Sequence, residues 1–265
     1  MIGRALASEA AKTLSVRVNA VLVLILVGYI AVAAGGFAVA LLVAPEESGV
    51  DQAFTDLAPL VYSMVTAVGY VFPLILGALM VTSEHRYRTL TPTFLAVPRR
   101  GMVLAAKLVV AAVLGAISGL AGLVASMGAG GGLLAALGGD PMLGEADTWW
   151  LAARVVLAMA LWGVVGVGVG VLIPNQIGSI VTAIAFTQFV EPLVRTAGAF
   201  VEPLGDVVRF LPGAAGDALV GASVYAAIGG SGESLEWWQG GLVLAGYAVV
   251  LTAVGAVTSW RRDVT

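Results

Sequence analysis

The chain has no cysteine, one histidine (His85) and few charges, which make up only 11% of its 265 residues. Each shortage excludes something. Without thiols there is no disulfide framework and no thiolate metal site. No HExxH or GxSxG pattern occurs, and no pair of carboxylates is placed to face one site, so the sequence carries no hydrolase signature. No GxxxxGK[ST] loop occurs either, so this chain does not hydrolyse ATP by itself. A soluble globular domain carries about 25% charged residues. A chain with 11% cannot cover a water-facing surface.

What is present is apolar. Hydrophobic residues make up 60% of the sequence, and the mean hydropathy is +1.01. At about 20 residues per span plus loops, roughly six spans fit. The sequence predicts an all-α, polytopic membrane protein, one transmembrane domain over 1–265, with spans near 20–44, 57–82, 101–127, 149–173, 177–194 and 237–260. Before the first span, over 1–18, Ile2, Leu6, Ala10 and Leu14 recur every four residues, with Arg4, Ser8, Glu9 and Lys12 elsewhere on the wheel. That pattern predicts a helix lying in the membrane interface. A signal peptide competes with it. Its apolar core would run only about 7–15 residues, whereas the run from Ala20 to Ala44 has no charge and is long enough to span. Residues 195–236 are apolar pieces broken by Pro203, Pro212 and several glycines, and predict short helices at the outer interface.

Orientation follows from counting cations by side. With the N-terminus inside, the inner segments hold Arg4, Lys12, Arg17, Arg86, Arg88, Arg99, Arg100, Lys107, Arg261 and Arg262. The outer segments hold only Arg154, Arg195 and Arg209. Of the acidic residues, Glu9, Glu84 and Asp263 fall inside and all others outside. Six spans with both termini cytoplasmic is the self-consistent arrangement. Trp149, Trp150, Trp237 and Trp238 then mark outer borders, and Trp260 an inner one.

In this topology no charge falls near a span's midpoint. Lys107 can snorkel from the inner end of span three, Arg154 lies close to an outer end, and Glu191 can pair with Arg195 at i, i+4. An ion-coupled transporter would need an acid or histidine deeper in. Gly166 and Gly170 in span four, and Gly115, Gly119, Gly122 and Ser126 in span three, predict close helix packing.

The polar chemistry gathers in one connection, "EHRYRTLTPTFLAVPRR", residues 84–100. Pro92 and Pro98 bracket a segment that fits a helix of one or two turns, with Thr91 as N-cap and Pro92 at its first position. Phe94, Leu95 and Val97 give it an apolar side, and Arg86, Arg88, Arg99 and Arg100 surround it. Positive-inside bias and contact with anionic lipid account for the arginines. They do not account for an apolar pair presented between prolines. A docking element for a soluble partner accounts for both.

These residues resemble the permease subunits of ABC-2 type transporters. In that family span two ends in a Glu followed by basic residues and a Thr-Leu pair; a short helix, a Pro-Arg pair and a Lys opening span three come next. Here Glu84, Arg86, Arg88, Thr89 and Leu90, then Pro98, Arg99 and Lys107, occupy those places. Many members have Gly where Arg88 stands, and Ser is common in place of Arg99. The amphipathic start, the six spans and "RFLPGAAGDALVGA" before the last span are similar too. The resemblance implies a permease, a homodimer in a bacterial inner membrane, working with two copies of a separate ATPase subunit. ATP and magnesium would sit on that partner; no cofactor is expected on this chain, and no nucleic acid. The coupling helix would comprise Glu84, Arg86, Arg88, Phe94, Leu95, Pro98, Arg99 and Arg100. Spans two and five would line the pathway, placing Tyr62, Thr66, Tyr70 and Pro73 opposite Ser179, Thr182 and Phe186. These uncharged faces suit an amphipathic or hydrophobic substrate, such as a drug, a lipid-like molecule or a peptide. The competing classes are a membrane resistance, immunity or anchoring protein that transports nothing, and a membrane-embedded enzyme.

Overall fold

The computed structural model describes residues 2–43, 57–96, 99–198, 200–223 and 234–260. Every regular element among them is helical. In chain order these are α1 (Ile2–Ser15), α2 (Arg17–Val43), α3 (Leu57–Ala67), α4 (Val71–Arg86), α5 (Leu90–Ala96), α6 (Arg100–Ala125), α7 (Gly132–Ala136), α8 (Ala146–Leu172), α9 (Gln176–Ala185), α10 (Glu191–Gly198), α11 (Glu202–Val208), α12 (Pro212–Val220) and α13 (Trp237–Gly255). Wider π-helical turns at Ser126–Gly131 and Phe186–Val190 join α6 to α7 and α9 to α10, and a third at Ala256–Trp260 ends α13.

Six helical stretches are long and apolar enough to cross a membrane: Arg17–Leu42, Leu57–Arg86, Arg100–Ala136, Ala146–Leu172, Gln176–Gly198 and Trp237–Trp260. This is a multi-pass membrane protein. Local chemistry sets the breaks. Pro174 has no N–H to continue α8, and Asn175 restarts the chain by accepting the Gly178 N–H on its side chain at 2.8 Å. Span two is two helices, with a turn over Val68–Tyr70 between them. Pro73 sits in the first turn of α4, where a missing donor leaves little unsatisfied.

Spans two and four are mostly buried; only about a fifth of each of spans one, five and six is. Glycine makes this possible. A Cβ on Gly166 would run into the Leu74 carbonyl, and one on Gly77 into that of Gly163, so spans two and four pack backbone to backbone. Gly115 approaches Met159 O in the same way, which brings span three in. Gly170 lies against Ala78. The close packing expected from these glycines is what the structure contains. Span three also runs past its expected end near residue 127, because the glycine-rich stretch is helical. Gly130 and Gly131 have no side chain to keep the backbone off Val61, Ala34 and Tyr62.

Candidate functional site

Two separate groups of buried charge lie within the bundle. The first is beneath the 84–100 connection. Glu84, in the last turn of α4, is buried, and so are Glu9 on α1 and Lys107 on α6, which is 1% exposed. With Lys12 they form a closed square. Lys12 Nζ lies 2.8 Å from Glu9 Oε1 and 2.7 Å from Glu84 Oε1. Lys107 Nζ lies 2.6 Å from Glu9 Oε2 and 2.9 Å from Glu84 Oε2. The last contact is an ion pair without hydrogen-bond alignment. Lys107 also donates to Met80 O at 3.0 Å, and Lys12 to Thr93 Oγ1 on α5 at 3.1 Å. Two cations and two anions cancel. Each buried ion thus meets opposite charge at close range, without which its burial would be strongly unfavourable.

Two expectations change here. Lys107 does not snorkel to the surface, because two carboxylates and a carbonyl hold it inside. On α1 the buried face is Ala5, Glu9 and Thr13 rather than the apolar stripe. Of that stripe, Ile2 and Leu14 are exposed. The polar face was the one with partners in the protein.

The short helix starts at Leu90, so Thr91 lies inside it and is not its cap. Leu90 is buried. Phe94 turns toward the body: its ring meets Trp260 edge-on at 5.6 Å, and the Arg100 guanidinium lies 5.0 Å from its centroid. Arg100 Nη1 donates to Trp260 O at 3.3 Å and Trp260 Nε1 to Arg100 O at 3.4 Å. Trp260 is therefore buried, and is no exposed member of an interfacial belt. Leu95 projects outward, 80% exposed. Arg86, Arg88 and Arg99 are exposed, and Arg86 donates to Gln176 Oε1 at 3.1 Å. Arg88 has φ 55°, the left-handed region that glycine enters without a steric cost. Pro98 and Val97, with Arg261 and Arg262, lie outside the described residues.

The second group lies between spans two, four and five and α12. Glu191, 2% exposed, accepts the Ala214 N–H on Oε1 at 3.0 Å, at the N-terminus of α12. Its Oε2 has no hydrogen-bond partner among the described residues. Arg195 does not take Glu191 as its close partner; its Nη2 lies 2.6 Å from Asp217 Oδ2, and Ser223 donates to the same oxygen at 3.0 Å. The i, i+4 spacing allowed the pairing with Glu191, but α12 brings a nearer carboxylate. Span five also runs on to Gly198, so Glu191 is not at its end. It sits four residues past the middle of Gln176–Gly198, a rise of about 6 Å. The expectation that no charge lies deep in a span does not hold.

A cavity of about 150 Å3 opens beside Glu191. Thr66, Tyr70, Trp162, Thr187, Gln188 and Asp217 are among its walls. The Tyr70 and Trp162 rings lie 4.4 Å apart, tilted by 32°. Tyr70 OH donates to Thr187 O at 3.0 Å and accepts from Gln188 Nε2 at 3.2 Å, so spans two and five do meet at Tyr70. Tyr62 is fully buried, its OH 2.6 Å from Pro141 O. Pro73 and Ser179 are buried as well, while Thr182 and Phe186 face outward from span five. Of the proposed lining, Thr66 and Tyr70 reach the cavity. Trp162, Glu191 and Asp217, which the sequence reading did not place there, complete it.

No protein-family model matches the chain, and no curated protein matches it in sequence.

Proposed function

We propose that the chain is the permease subunit of an ATP-driven exporter, docked through its 84–100 connection onto a separate ATPase subunit. In this reading the Glu84 end faces the cytoplasm. The N-terminal helix lies in the inner interface with Ile2 and Leu14 toward lipid, and two permease chains enclose the pathway. The observation that carries it is the square of Glu9, Lys12, Glu84 and Lys107. It ties α1, span two, the short helix and span three into one unit directly behind the exposed Leu95. A push on that helix would reach two spans without slack, which is what a transmission element needs. A plain loop has no use for three buried ions and a fourth that closes their ring. The left-handed Arg88 supports the reading as well, since the resembled family commonly has glycine there.

The test is whether the permease, purified in detergent from its own cells, captures a separate ATPase subunit, with a transport assay in parallel. Leu95→Asp should lose the ATPase while the permease stays folded. Full capture and full transport by Leu95→Asp would remove the docking role. Orientation is checked with single cysteines, which the chain otherwise lacks. Glu145→Cys should react with an impermeant thiol reagent outside intact cells, and Leu95→Cys should not.

The buried Glu191 favours one other reading, a carrier driven by an ion gradient. Transport that continues without any ATPase and stops when the proton gradient is collapsed would select it.

A further inference from the structure

We infer that the cavity beside Glu191 is a binding site for an organic cation, with an ammonium group against Glu191 and its apolar body against Tyr70 and Trp162. Charge comes first. The ionisable walls are Glu191, Asp217 and Arg195. Arg195 and Asp217 neutralise each other at 2.6 Å, so one negative charge remains. It falls on a side chain 2% exposed, inside a span, with one oxygen that has no hydrogen-bond partner among the described residues. A lone carboxylate at that depth is costly unless something positive meets it. An anion would face two carboxylates and is excluded on the same ground.

The walls then choose among cations. Calcium and magnesium ask for six or more oxygen ligands, and here two aromatic rings take up part of the lining. Aromatic faces attract ammonium groups. Gly213 lets the start of α12 close over Glu191, since a Cβ there would strike the carboxylate. Gly216 likewise lies against the Trp162 indole. The backbone is thus shaped to bring carboxylate and indole to one space. Its volume of about 150 Å3 matches cavities that hold a single benzene ring. The site takes one ring or short alkyl group bearing one ammonium, or that end of a longer amphiphile.

Only the step that makes this cation a transported substrate rests on the exporter reading. The binding test needs no ATPase. Its failure overturns the cavity and leaves the docking reading standing, and a failed ATPase capture leaves the cavity standing. The probes are benzylammonium and its uncharged analogue benzyl alcohol, titrated calorimetrically into the full chain in detergent. One charge-assisted contact corresponds to about tenfold or more in affinity, so benzylammonium should bind at least that much more tightly than the alcohol. Glu191→Gln keeps an acceptor for Ala214 N–H and should erase the preference while leaving alcohol binding unchanged. Equal wild-type affinities, no binding of benzylammonium, or a preference that survives Glu191→Gln would each overturn the proposal. If Glu191→Gln does not fold, the wild-type comparison alone decides.

Discussion

The two buried charge groups differ in one respect that matters. Around Glu84, two cations and two anions close on each other, and every carboxylate oxygen has an ammonium within 2.9 Å. Around Glu191, the one guanidinium pairs with Asp217, and a Glu191 oxygen has no hydrogen-bond partner among the described residues. Both groups join several helices. The first is balanced in charge and holds its helices together. The second is one charge short of balance beside a space. Buried charge alone therefore does not mark a binding site; the count of partners separates a clamp from a receptor.

The largest expected effect breaks the clamp. Lys107→Met removes the cation that both carboxylates share and leaves Lys12 to serve two anions. Removing one partner of a buried ion pair typically costs about 3–5 kcal/mol. Thermal unfolding in detergent should show a loss of that size, and Glu9→Gln added to Lys107→Met should recover part of it. Glu191→Gln should be far milder in the same assay, because no salt-bridge partner is lost. Equal losses from Lys107→Met and Glu191→Gln would erase the distinction between the two groups.

A middling effect separates the two apolar residues of the short helix. Phe94 is packed on Trp260 and Arg100, whereas Leu95 is 80% exposed. Phe94→Ala should lower thermal stability by about 1–2 kcal/mol, less than a fully buried Phe, since the ring is only partly covered. Leu95→Ala should leave stability unchanged and weaken ATPase capture. If Phe94→Ala leaves the unfolding curve in place and abolishes capture, Phe94 is the anchor and turns outward in the complex.

The spans were legible because their signal is compositional: uncharged apolar runs long enough to cross a bilayer survive any packing arrangement. Close packing was legible for a similar reason, since Gly166 and Gly170 leave few other uses for themselves inside a span. The charge groups were not legible. Glu9, Glu84 and Lys107 are far apart in sequence, and nothing local tells Lys107 to stay inside rather than reach for water. Glu9 was visible only as a polar residue on an amphipathic helix, which reads as a solvated face. Arg195 had a plausible partner at i, i+4, and only the fold brings Asp217 nearer. Trp260 looked like a border residue because its partners, Phe94 and the Arg100 carbonyl, belong to a distant loop. One signal was available: a lysine inside a predicted span can either snorkel or meet acids, and two acids, Glu9 and Glu84, stood on the same side.

The smallest expected effect tests whether the square is symmetrical. Its two lysines make matching contacts, but the Lys12 side chain is 40% exposed and that of Lys107 only 1%. Water screens an exposed pair, so Lys12→Met should cost about 1 kcal/mol or less. Its contribution should also carry a pH signature. Burial works against the Lys12 ammonium, but the hydrogen bonds to Glu84 and Glu9 outweigh it, so Lys12 titrates above its ordinary 10.5. A lysine pKa raised by folding adds stability that is fully present below the unfolded value and is lost as pH climbs through the folded one. The stability gap between wild type and Lys12→Met should therefore stay constant at neutral and mildly alkaline pH and shrink only above 10.5. A gap that closes near neutral pH would mean that Lys12 loses its proton there, and the square would then be a triangle of Glu9, Glu84 and Lys107 with one uncompensated negative charge.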